Sequence, residues 1–521
     1  MNHPPTVSIV LWALLASLFF LPLQTVDAAT FVRGDTDGDG ELSLPDPVRT
    51  LGYLFLRDPL ILDCSDAADG NDDGFLDISD AVYVLRHLFL EKVTISAPYP
   101  ECGEDLTEDG LGCVSSPACD TTGGTIEIVE GKERNLSLEV EEGDLDAVVA
   151  GNAAFALDLY QEIRENDGNI FYSPHSISVA LAMTYVGARN ATAEQMAGTL
   201  HYTLAEERLH PAFNALDLEL ASRGENLEGE EGDGFQLTVA NSIWGERDYT
   251  FLTDFVDVLG EHYGSGMRLV DFIGSPEPSR LAINGWVGDQ TENRIKDLLP
   301  QGIITAFTRL VLTNAIFFKA SWLTPFEESL TQDRPFHLLD GSQVDVATMT
   351  QDTTFGYALG NGYQAVELAY FGEEISMVVI MPDSNRFEEI EALIDALFVQ
   401  GVFAALSSQR TQLYMPKFDF EFTLPLKGIL QGMGMEHAFS SLDADFSGMD
   451  GTDRLFIHDV LHKGFIAINE AGTEAAAATA VVVGVDSMPP EIRLDRPFLF
   501  LIRDIPTGTV LFVGRVVDPT G

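Results

Sequence analysis

The 521-residue chain has little positive charge, with 29 Lys and Arg against 82 Asp and Glu and a formal net charge of −53. A surface this acidic repels phosphate backbones, heparin-like polyanions and anionic lipid headgroups. We therefore expect neither nucleic acid nor a membrane surface as a partner. The composition is nevertheless 45% hydrophobic, with 33 Phe, which is too apolar for a disordered acidic chain. The negative charge must lie on the surface of folded domains.

The sequence also lacks the short motifs of several common enzyme classes. It contains no G-x-S-x-G nucleophile elbow, no H-E-x-x-H metal site, no phosphate-binding loop and no dinucleotide-binding glycine pattern. Its ten His do not combine with Cys in a familiar catalytic spacing. We therefore predict that the protein is not an enzyme.

Charged side chains are absent from the first 26 residues, and Val7 to Leu23 form a nearly unbroken apolar run. Small residues at Val26 and Ala28 then predict a signal peptide over residues 1–28, cleaved after Ala28. An uncleaved membrane anchor, which needs about 20 apolar residues, is the alternative. We therefore expect a secreted, extracellular protein that keeps no membrane segment after cleavage.

Cysteine is scarce and confined to the first quarter of the chain. An even number of cysteines in an exported chain predicts two disulfides within a small domain, with three connectivities open. A zinc site is the alternative, but no C-x-x-C pair occurs and no His lies among the last three cysteines. The four residues are Cys64, Cys102, Cys113 and Cys119.

Two acidic loops repeat in this region, beginning at Asp35 and Asp69. Each places oxygen ligands at positions one, three, five and twelve, a backbone carbonyl at seven, and Gly at six, where the chain turns around an ion. Because calcium takes six to eight oxygen ligands, the spacing predicts two calcium ions. The predicted ligands are Asp35, Asp37, Asp39, Glu41 and Asp46 in the first loop and Asp69, Asn71, Asp73, Phe75 and Asp80 in the second.

One apolar, helix-like stretch follows each loop, over residues 48–56 and 81–90. One helix per loop, with Asp at position twelve, resembles the dockerin family. The resemblance implies a small all-α module over residues 29–120 that binds calcium and tethers the protein to a partner or to a cell-surface assembly. Loop positions ten and eleven, Leu44-Pro45 and Ile78-Ser79, depart from the polar residues with which dockerins bind cohesins. A purely structural role for calcium is the alternative.

Beyond the cysteines the chain becomes polar and rich in Glu, which predicts an acidic linker over residues 121–142. From residue 143 onward, apolar residues at helical spacing alternate with strand-like runs such as residues 375–381. The large C-terminal part is therefore predicted to be an α+β domain with a substantial sheet.

Small residues dominate a segment near the C-terminus and lead into a run of valines. Periodicity alone predicts a helix there. The same residues also suit a loop that enters a sheet, because alternate side chains of the new strand, such as Thr473 and Ala475, would face the core. The segment contains Glu470, Gly472, Thr473, Glu474, Ala475, Ala476, Ala477 and Ala478.

This segment resembles the hinge of inhibitory serpins, and four other blocks resemble the same family in the same order. The resemblance covers residues 143–521. It implies a monomeric serpin fold with a large mixed or antiparallel sheet A, sheets B and C, and about nine helices. The other blocks are residues 169–177, 314–322, 414–418 and 495–500.

The resemblance also implies roles for buried polar residues. Ser173, Ser176, Asn314 and His462 would form a hydrogen-bonded shutter where sheet A opens, and Trp322 would lie at the breach where insertion begins. For His462 alone, a satisfied core histidine is the alternative. Buried polar groups that exchange partners as strands separate lower the barrier to opening.

The resemblance makes the segment after the hinge a bait for a protease, which is trapped as an acyl-enzyme when the cleaved loop enters the sheet. The family's usual spacing of seventeen residues from Glu470 places the scissile bond between Asp486 and Ser487. An Asp bait predicts an acid-specific serine protease or a caspase-like cysteine protease. One alternative is cleavage at Val485–Asp486 by an elastase-like enzyme. Another is a non-inhibitory serpin that acts as a binding or storage protein.

Overall fold

The chain divides into two compact units, residues 1–121 and 122–521. Among the described residues, no helix has both the length and the apolar composition needed to cross a bilayer. The predicted signal peptide lies outside the described residues. This computed structural model describes residues 30–38, 42–56, 62, 64–90, 93–100, 102–103, 105, 107, 111–113, 119, 126–137, 139–223, 236–452, 454–473 and 489–520.

In the small unit one helix begins at the end of each acidic loop, and a single helical turn precedes the second loop. Helix α1 (Pro45–Leu51) continues as a π-helical segment (Gly52–Leu56), and α2 (Ser65–Ala68) and α3 (Ile78–Leu90) follow. Asp46 and Asp80 lie in the first turns of α1 and α3, where a carboxylate is favoured by the helix dipole. Two disulfides, Cys64–Cys113 and Cys102–Cys119, select one of the three pairings that the sequence left open.

The large unit has ten α-helices within its described residues, against about nine expected. The last and the seventh of them, Ser447–Asp450 and Phe387–Glu391, are single turns, which apolar periodicity does not reveal. The helices are α4 Asp144–Ile163, α5 Pro174–Tyr185, α6 Asn190–Thr199, α7 Glu206–Ala221, α8 Thr253–Tyr263, α9 Pro276–Gln290, α10 Phe387–Glu391, α11 Ala396–Ala405, α12 Leu426–Gly432 and α13 Ser447–Asp450. Two 3-10 turns are Glu328–Leu330 and His437–Phe439.

The strands of the large unit form two sheets. The strands are β1 Glu127–Val129, β2 Ile170–Tyr172, β3 Gln236–Glu246, β4 Met267–Val270, β5 Leu310–Ser321, β6 Gln332–His337, β7 Gln343–Leu359, β8 Tyr363–Ala369, β9 Ile375–Pro382, β10 Ser407–Pro416, β11 Phe418–Pro425, β12 Val460–Ile468, β13 Gly472–Thr473, β14 Glu491–Arg493, β15 Phe498–Asp504 and β16 Val510–Val516.

The first sheet has seven strands in the order β1-β4-β3-β5-β13-β12-β11. Strands β5 and β12 are parallel, from Leu312 opposite Val460 to Ile316 opposite Gly464. Further along, the two-residue strand β13 lies between them and is antiparallel to both. We call this the mixed sheet; it corresponds to the sheet expected as sheet A.

The second sheet has nine strands, with β14-β10-β7-β8-β9-β15-β16-β2 in line and β6 beside β7. Strand β7 is 17 residues long and pairs with β6 over residues 343–348, with β10 over residues 348–357 and with β8 over residues 356–359. The strands expected in separate sheets B and C are therefore continuous, because β7 belongs to both. Every residue of β9 is buried, as expected for a strand that is apolar except for Ser376.

The predicted acidic linker is partly structured. Residues 127–129 form β1, which pairs antiparallel with β4 at the edge of the mixed sheet. Strand β1 has only three residues, Glu-Ile-Val, and so short a pattern is a weak strand signal. This strand was therefore not predicted from the sequence.

Candidate functional site where the mixed sheet opens

The mixed sheet contains the beginning of an additional strand. Gly472 is opposite Ser321 and Thr473 is opposite Ala320, while Thr473 also faces Ile468 on the other side. These two hinge residues therefore lie between β5 and β12. The rest of the hinge (Glu474, Ala475, Ala476, Ala477 and Ala478) and the predicted scissile residues Asp486 and Ser487 lie outside the described residues.

Gly472 can occupy this position because it has no side chain. Its φ is +152°, a conformation that L-residues rarely adopt, and a Cβ there would lie 2.2 Å from the Ala320 carbonyl oxygen. The chain therefore enters the sheet at a point that only glycine accommodates without displacing β5.

Trp322 marks the end of β5 and contacts the entering segment. Its indole stacks on Tyr370 with ring centroids 4.5 Å apart, and its Nε1 donates to the Asn469 carbonyl at 3.1 Å. Its backbone N–H donates to the Ala471 carbonyl at 2.8 Å. The hydroxyls of Tyr370 and Thr473 are hydrogen-bonded at 2.8 Å, so the first inserted side chain already has a buried polar partner.

Glu470 anchors the chain just before it enters the sheet. Its carboxylate accepts from Lys417 Nζ at 2.8 Å and from Thr331 Oγ1 at 2.7 Å, and its carbonyl accepts from the Phe326 N–H at 2.8 Å. Burial opposes ionisation of Glu470, but these donors outweigh it and lower its pKa. Glu470 is therefore an ionised anchor at neutral pH.

The four residues predicted to form the shutter come together where β5 and β12 pack on the start of α5, with Asn314 and His462 opposite each other in the two strands. The His462 Nε2 accepts from the Ser173 N–H at 3.1 Å, and its Nδ1 is hydrogen-bonded to Asn314 Oδ1. The Asn314 Nδ2 donates to Ser176 Oγ at 2.8 Å. All four residues are fully buried. We call Ser173, Ser176, Asn314 and His462 the polar cluster.

Asn241 completes the polar cluster and was missed by the sequence reasoning. It lies on β3 opposite Asn314, and its Oδ1 accepts from Asn314 Nδ2 at 2.6 Å and from Ser176 Oγ at 3.1 Å. One polar residue in a strand was the only signal in the sequence, and many strands carry one. The cluster joins β3, β5, β12 and α5, so its hydrogen bonds link the strands that flank the opening.

His462 is neutral in this arrangement. Burial lowers its pKa to about 3, and its Nε2 must stay unprotonated to accept the Ser173 N–H. The proton is therefore on Nδ1, which donates to Asn314.

The first acidic loop brings carboxylates together. Oxygens of Asp35, Asp37 and Asp46 lie within 4.8 Å of one another, and Asp35 and Asp46 are buried. Burial, with added repulsion from Asp37 and Asp35, raises the pKa of Asp46 to about 7. Such a set suits a divalent cation, which would offset the repulsion. The predicted ligands Asp39 and Glu41 lie outside the described residues.

The second acidic loop also contains buried side-chain oxygens at its predicted ligand positions. Asp80 Oδ1 and Asn71 Oδ1, at loop positions twelve and three, are buried without a hydrogen-bond partner in the described part of the chain. Asp69 is fully buried, and Asp73 accepts the Phe75 N–H at 3.0 Å. Burial, with repulsion from Asp69, raises the pKa of Asp80 to about 7. Unpaired buried oxygens at ligand positions fit calcium.

The family described as Serpin (serine protease inhibitor) matches residues 150–519. The chain belongs to the serpin family. An uncharacterized serpin-like protein of Thermococcus kodakarensis is 38% identical over 385 residues, covering 73% of this chain and 88% of that protein. Leukocyte elastase inhibitors of Xenopus laevis and Homo sapiens are 37% and 36% identical, covering 70% and 72% of this chain and 97% and 100% of theirs.

Two solved structures resemble this serpin closely enough to show the same fold. Uncleaved ovalbumin is 28% identical with a TM-score of 0.64, and it covers 72% of this chain and 100% of its own. The native state of the thermophilic serpin tengpin is 27% identical with a TM-score of 0.65, and the match covers 75% of this chain and 97% of tengpin. The predicted serpin fold is therefore confirmed for the large unit. The acidic loops precede the residues that match the family.

Proposed function

We propose that this serpin is a secreted inhibitor that traps a target protease after the protease cuts residues 474–488. The observation that carries the proposal is the position of Gly472 and Thr473 between β5 and β12. Further residues after Thr473 could extend β13 as a full strand between β5 and β12. On the far side of the loop, the chain joins the other sheet at β14.

The proposed mechanism begins as ordinary proteolysis. The protease nucleophile bonds to the Asp486 carbonyl carbon, and the Ser487 nitrogen leaves with a proton as a new amino terminus. The segment that ends at Asp486 is then free at one end and adds to the mixed sheet, carrying the attached protease with it. The new strand gains main-chain hydrogen bonds on both sides, and these supply the driving force.

The relatives support inhibition, because several are named leukocyte elastase inhibitors. A non-inhibitory serpin would be expected to carry bulky or charged residues at the hinge. Here Thr473 is small and buried, and Ala475 and Ala477 follow at the alternate positions that would face the core, whereas Glu474 would face the opposite side of the new strand. The side chains at the core-facing positions are therefore small and uncharged.

The target class follows from Asp486, since an anionic residue is favoured by a cationic specificity pocket. We assign an acid-specific serine protease as the target. A caspase-like cysteine protease, with the same preference for an acidic residue, is the second candidate. An elastase-like target that cuts at Val485 is a competing candidate, and the names of the relatives favour it.

The test is to incubate the full-length protein with a Glu- or Asp-specific serine endopeptidase, a caspase and an elastase. A complex that survives boiling in SDS, and a released C-terminal fragment beginning at Ser487, are expected with an acid-specific enzyme. If elastase formed the stable complex instead and the released fragment began at Asp486, the target would be an elastase-like enzyme. Cleavage without any stable complex would contradict inhibition and favour a binding or storage protein.

We further propose that the small unit is a dockerin-like module that binds two calcium ions and holds the serpin near a protein partner or at the cell surface. The ligands would be the acidic-loop oxygens described above, including the Phe75 and Glu41 carbonyls. Calcium, when bound, would neutralise the clustered carboxylates and order both loops. The serpin domain itself needs no cofactor for the proposed trapping.

Calcium titration of the full-length protein by calorimetry tests this module. Two sites are expected, and Asp80→Asn together with Asp69→Asn should remove one of them. Asp352→Asn, a surface change in the serpin domain, serves as the control. Titration without binding heat and without a change in thermal unfolding would contradict the calcium proposal.

A further inference from the structure

Strand β7 lacks a neighbour along the middle of one side. Strand β10 lies along the other side and pairs with residues 348–357. On the incomplete side, β6 pairs with β7 only up to Thr348, and β8 begins only at Gly356. No strand of the described chain therefore covers this side of residues 349–355, although the same edge is paired both before and after them.

The gap exists because the two neighbouring strands turn away from β7. The residues just before β6 form the 3-10 turn Glu328–Leu330 instead of continuing along β7. At the other end of the gap, β8 ends at Ala369, and Tyr370 forms an isolated bridge with Trp322. Strands β6 and β8 thus diverge from β7 at opposite ends of the gap.

Backbone groups of β7 point into this gap. The Ala347 carbonyl accepts from the Lys417 N–H at 2.8 Å, so the odd-numbered residues bond toward β10. Alternation along an antiparallel strand directs the N–H and carbonyl groups of Asp352 and Thr354 to the opposite side. Both residues are exposed. An exposed, unpaired row of backbone groups is a template for another strand.

The gap is also a cleft of about 350 Å³, which we call the β7 cleft. The buried side chains of Trp322, Phe355 and Leu368 line it. Leu323 and Ile505 line it as well, and they are 42% and 39% exposed. Apolar side chains beside an unpaired backbone edge suit a ligand that offers both apolar side chains and main-chain hydrogen bonds.

The charge of the β7 cleft is negative. Glu367 and Glu373 line it, and none of its described lining residues is Lys or Arg. Glu367 is paired with Arg503 at 2.6 Å, whereas Glu373 is exposed and pairs with no cation of the described chain. The net charge of −53 further disfavours an acidic ligand. A basic side chain beside Glu373 is therefore favoured.

We propose that the β7 cleft binds an extended peptide segment of another protein, which adds to β7 as a strand between β6 and β8. Its main chain would bond to Asp352 and Thr354, and its apolar side chains would contact Phe355 and Leu368. One Lys or Arg of the segment would pair with Glu373. Seven residues at about 3.4 Å each fill the gap, so the segment is roughly 24 Å long. The proposal does not depend on the loop insertion proposed above.

The test uses the full-length protein and fluorescein-labelled heptapeptides in which threonine alternates with valine and one threonine is replaced by lysine. Fluorescence anisotropy at about 0.15 M salt measures binding, with the lysine at each threonine position in turn. We expect the best lysine peptide to bind about tenfold more tightly than its glutamate counterpart. N-methylation of alternate amides should abolish binding in one phase and not in the other, because only one edge of the peptide faces β7.

Variants of the protein locate the bound peptide. Thr354→Pro removes one of the exposed N–H groups and should abolish binding. Glu373→Lys should weaken binding of the lysine peptide about five- to tenfold and strengthen binding of the glutamate peptide. Asp345→Lys makes the same charge change at an exposed position of β7 outside the gap and should bind like the wild type. Unfolding temperatures show whether each variant is folded.

Four results would overturn the proposal. Binding that is insensitive to the phase of N-methylation would reject strand addition, and binding retained by Thr354→Pro would place the peptide elsewhere. Equal weakening by Asp345→Lys and Glu373→Lys would mean general attraction to the acidic surface. Absence of binding by every lysine peptide at millimolar concentration would reject the site. If Thr354→Pro failed to fold, the N-methylated peptides and Glu373→Lys would still decide.

Discussion

At the scale of single residues, the polar cluster depends on the protonation state of His462. Its Nε2 accepts a hydrogen bond from the backbone of Ser173, and protonation would replace this acceptor with a second donor. The same imidazole reaches Asn314 on the adjacent strand. Acid should therefore weaken the bonds that connect β12 to β5 and α5.

The pH dependence of stability tests this role. In the unfolded chain His462 titrates near pH 6.5, whereas in the folded protein it stays neutral down to about pH 3. Its contribution is therefore complete above pH 6.5 and is lost as the pH falls from 6.5 toward 3, by up to about 1.4 kcal/mol per pH unit.

His462→Gln should lower the free energy of unfolding at pH 7.5 but make its decline toward pH 4.5 shallower. From the two pKa values, the difference between the variant and the wild type should shrink by roughly 2 to 3 kcal/mol over this range. Urea titrations at both pH values measure it, and the other histidines cancel in the comparison. Parallel pH profiles would show that His462 does not titrate as described.

Thr473 is the hinge residue that lies between β5 and β12, where insertion of the loop would begin. It is 1% exposed and its hydroxyl is bonded to Tyr370. Thr473→Arg should abolish the SDS-stable complex while leaving cleavage intact, because burying an unpaired charge costs several kcal/mol. Thr473→Val is the matched control and should retain most complex formation. Equal complex yields for Arg and Val, measured on gels, would contradict insertion at this position.

At the scale of elements, Glu470 connects the turn after β12 to the end of β10 and to the segment after β5. Glu470→Gln should lower native stability by about 1 to 2 kcal/mol, since the loss of a charged hydrogen bond is partly offset by solvent around Lys417, which is 40% exposed. Thermal unfolding measures this change. Glu491→Gln, at an exposed pair with Arg493, should have almost no effect. A similar shift in both variants would mean that Glu470 is not an anchor.

The elements around the opening could be predicted because their residues have unusual requirements. A run of small side chains after Glu470 has few uses in a folded protein, and insertion into a sheet is one of them. Ser173, Asn314 and His462 were placed through the resemblance of their blocks to serpins, and the structure brings them within hydrogen-bond distance. In these places a side chain is constrained by chemistry as well as by hydrophobic pattern.

The elements that could not be predicted depend on backbone contacts. Residues 126–137 have a polar, acidic composition typical of linkers, and their contact with α8 is made by Gly131 and by carbonyl groups. Asn241 contacts the polar cluster because the register of β3 and β5 places it opposite Asn314. The union of the expected sheets B and C likewise follows from the length of β7. None of these features changes hydrophobic periodicity.

At the scale of the whole molecule, the two units are stabilised by different means. All four cysteines lie in the small unit, whereas the serpin domain has a large apolar core that includes buried β9 and β16. Only small domains commonly need disulfides or metals to remain folded, because they bury too little apolar surface. The two units should therefore respond separately to reduction.

Reduction of the disulfides should lower the unfolding temperature of the small unit and leave that of the serpin domain unchanged. The bridges join residues 49 and 17 positions apart, and loop-closure entropy assigns them about 4 and 3 kcal/mol. Calorimetry of the full-length protein with and without reductant should resolve two transitions, of which only one moves. Cleavage of the loop provides the complementary control, because it should raise only the transition that reduction leaves alone. If reduction shifted both transitions equally, the small unit would be stabilising the trap directly, and the independence of the two units would be wrong.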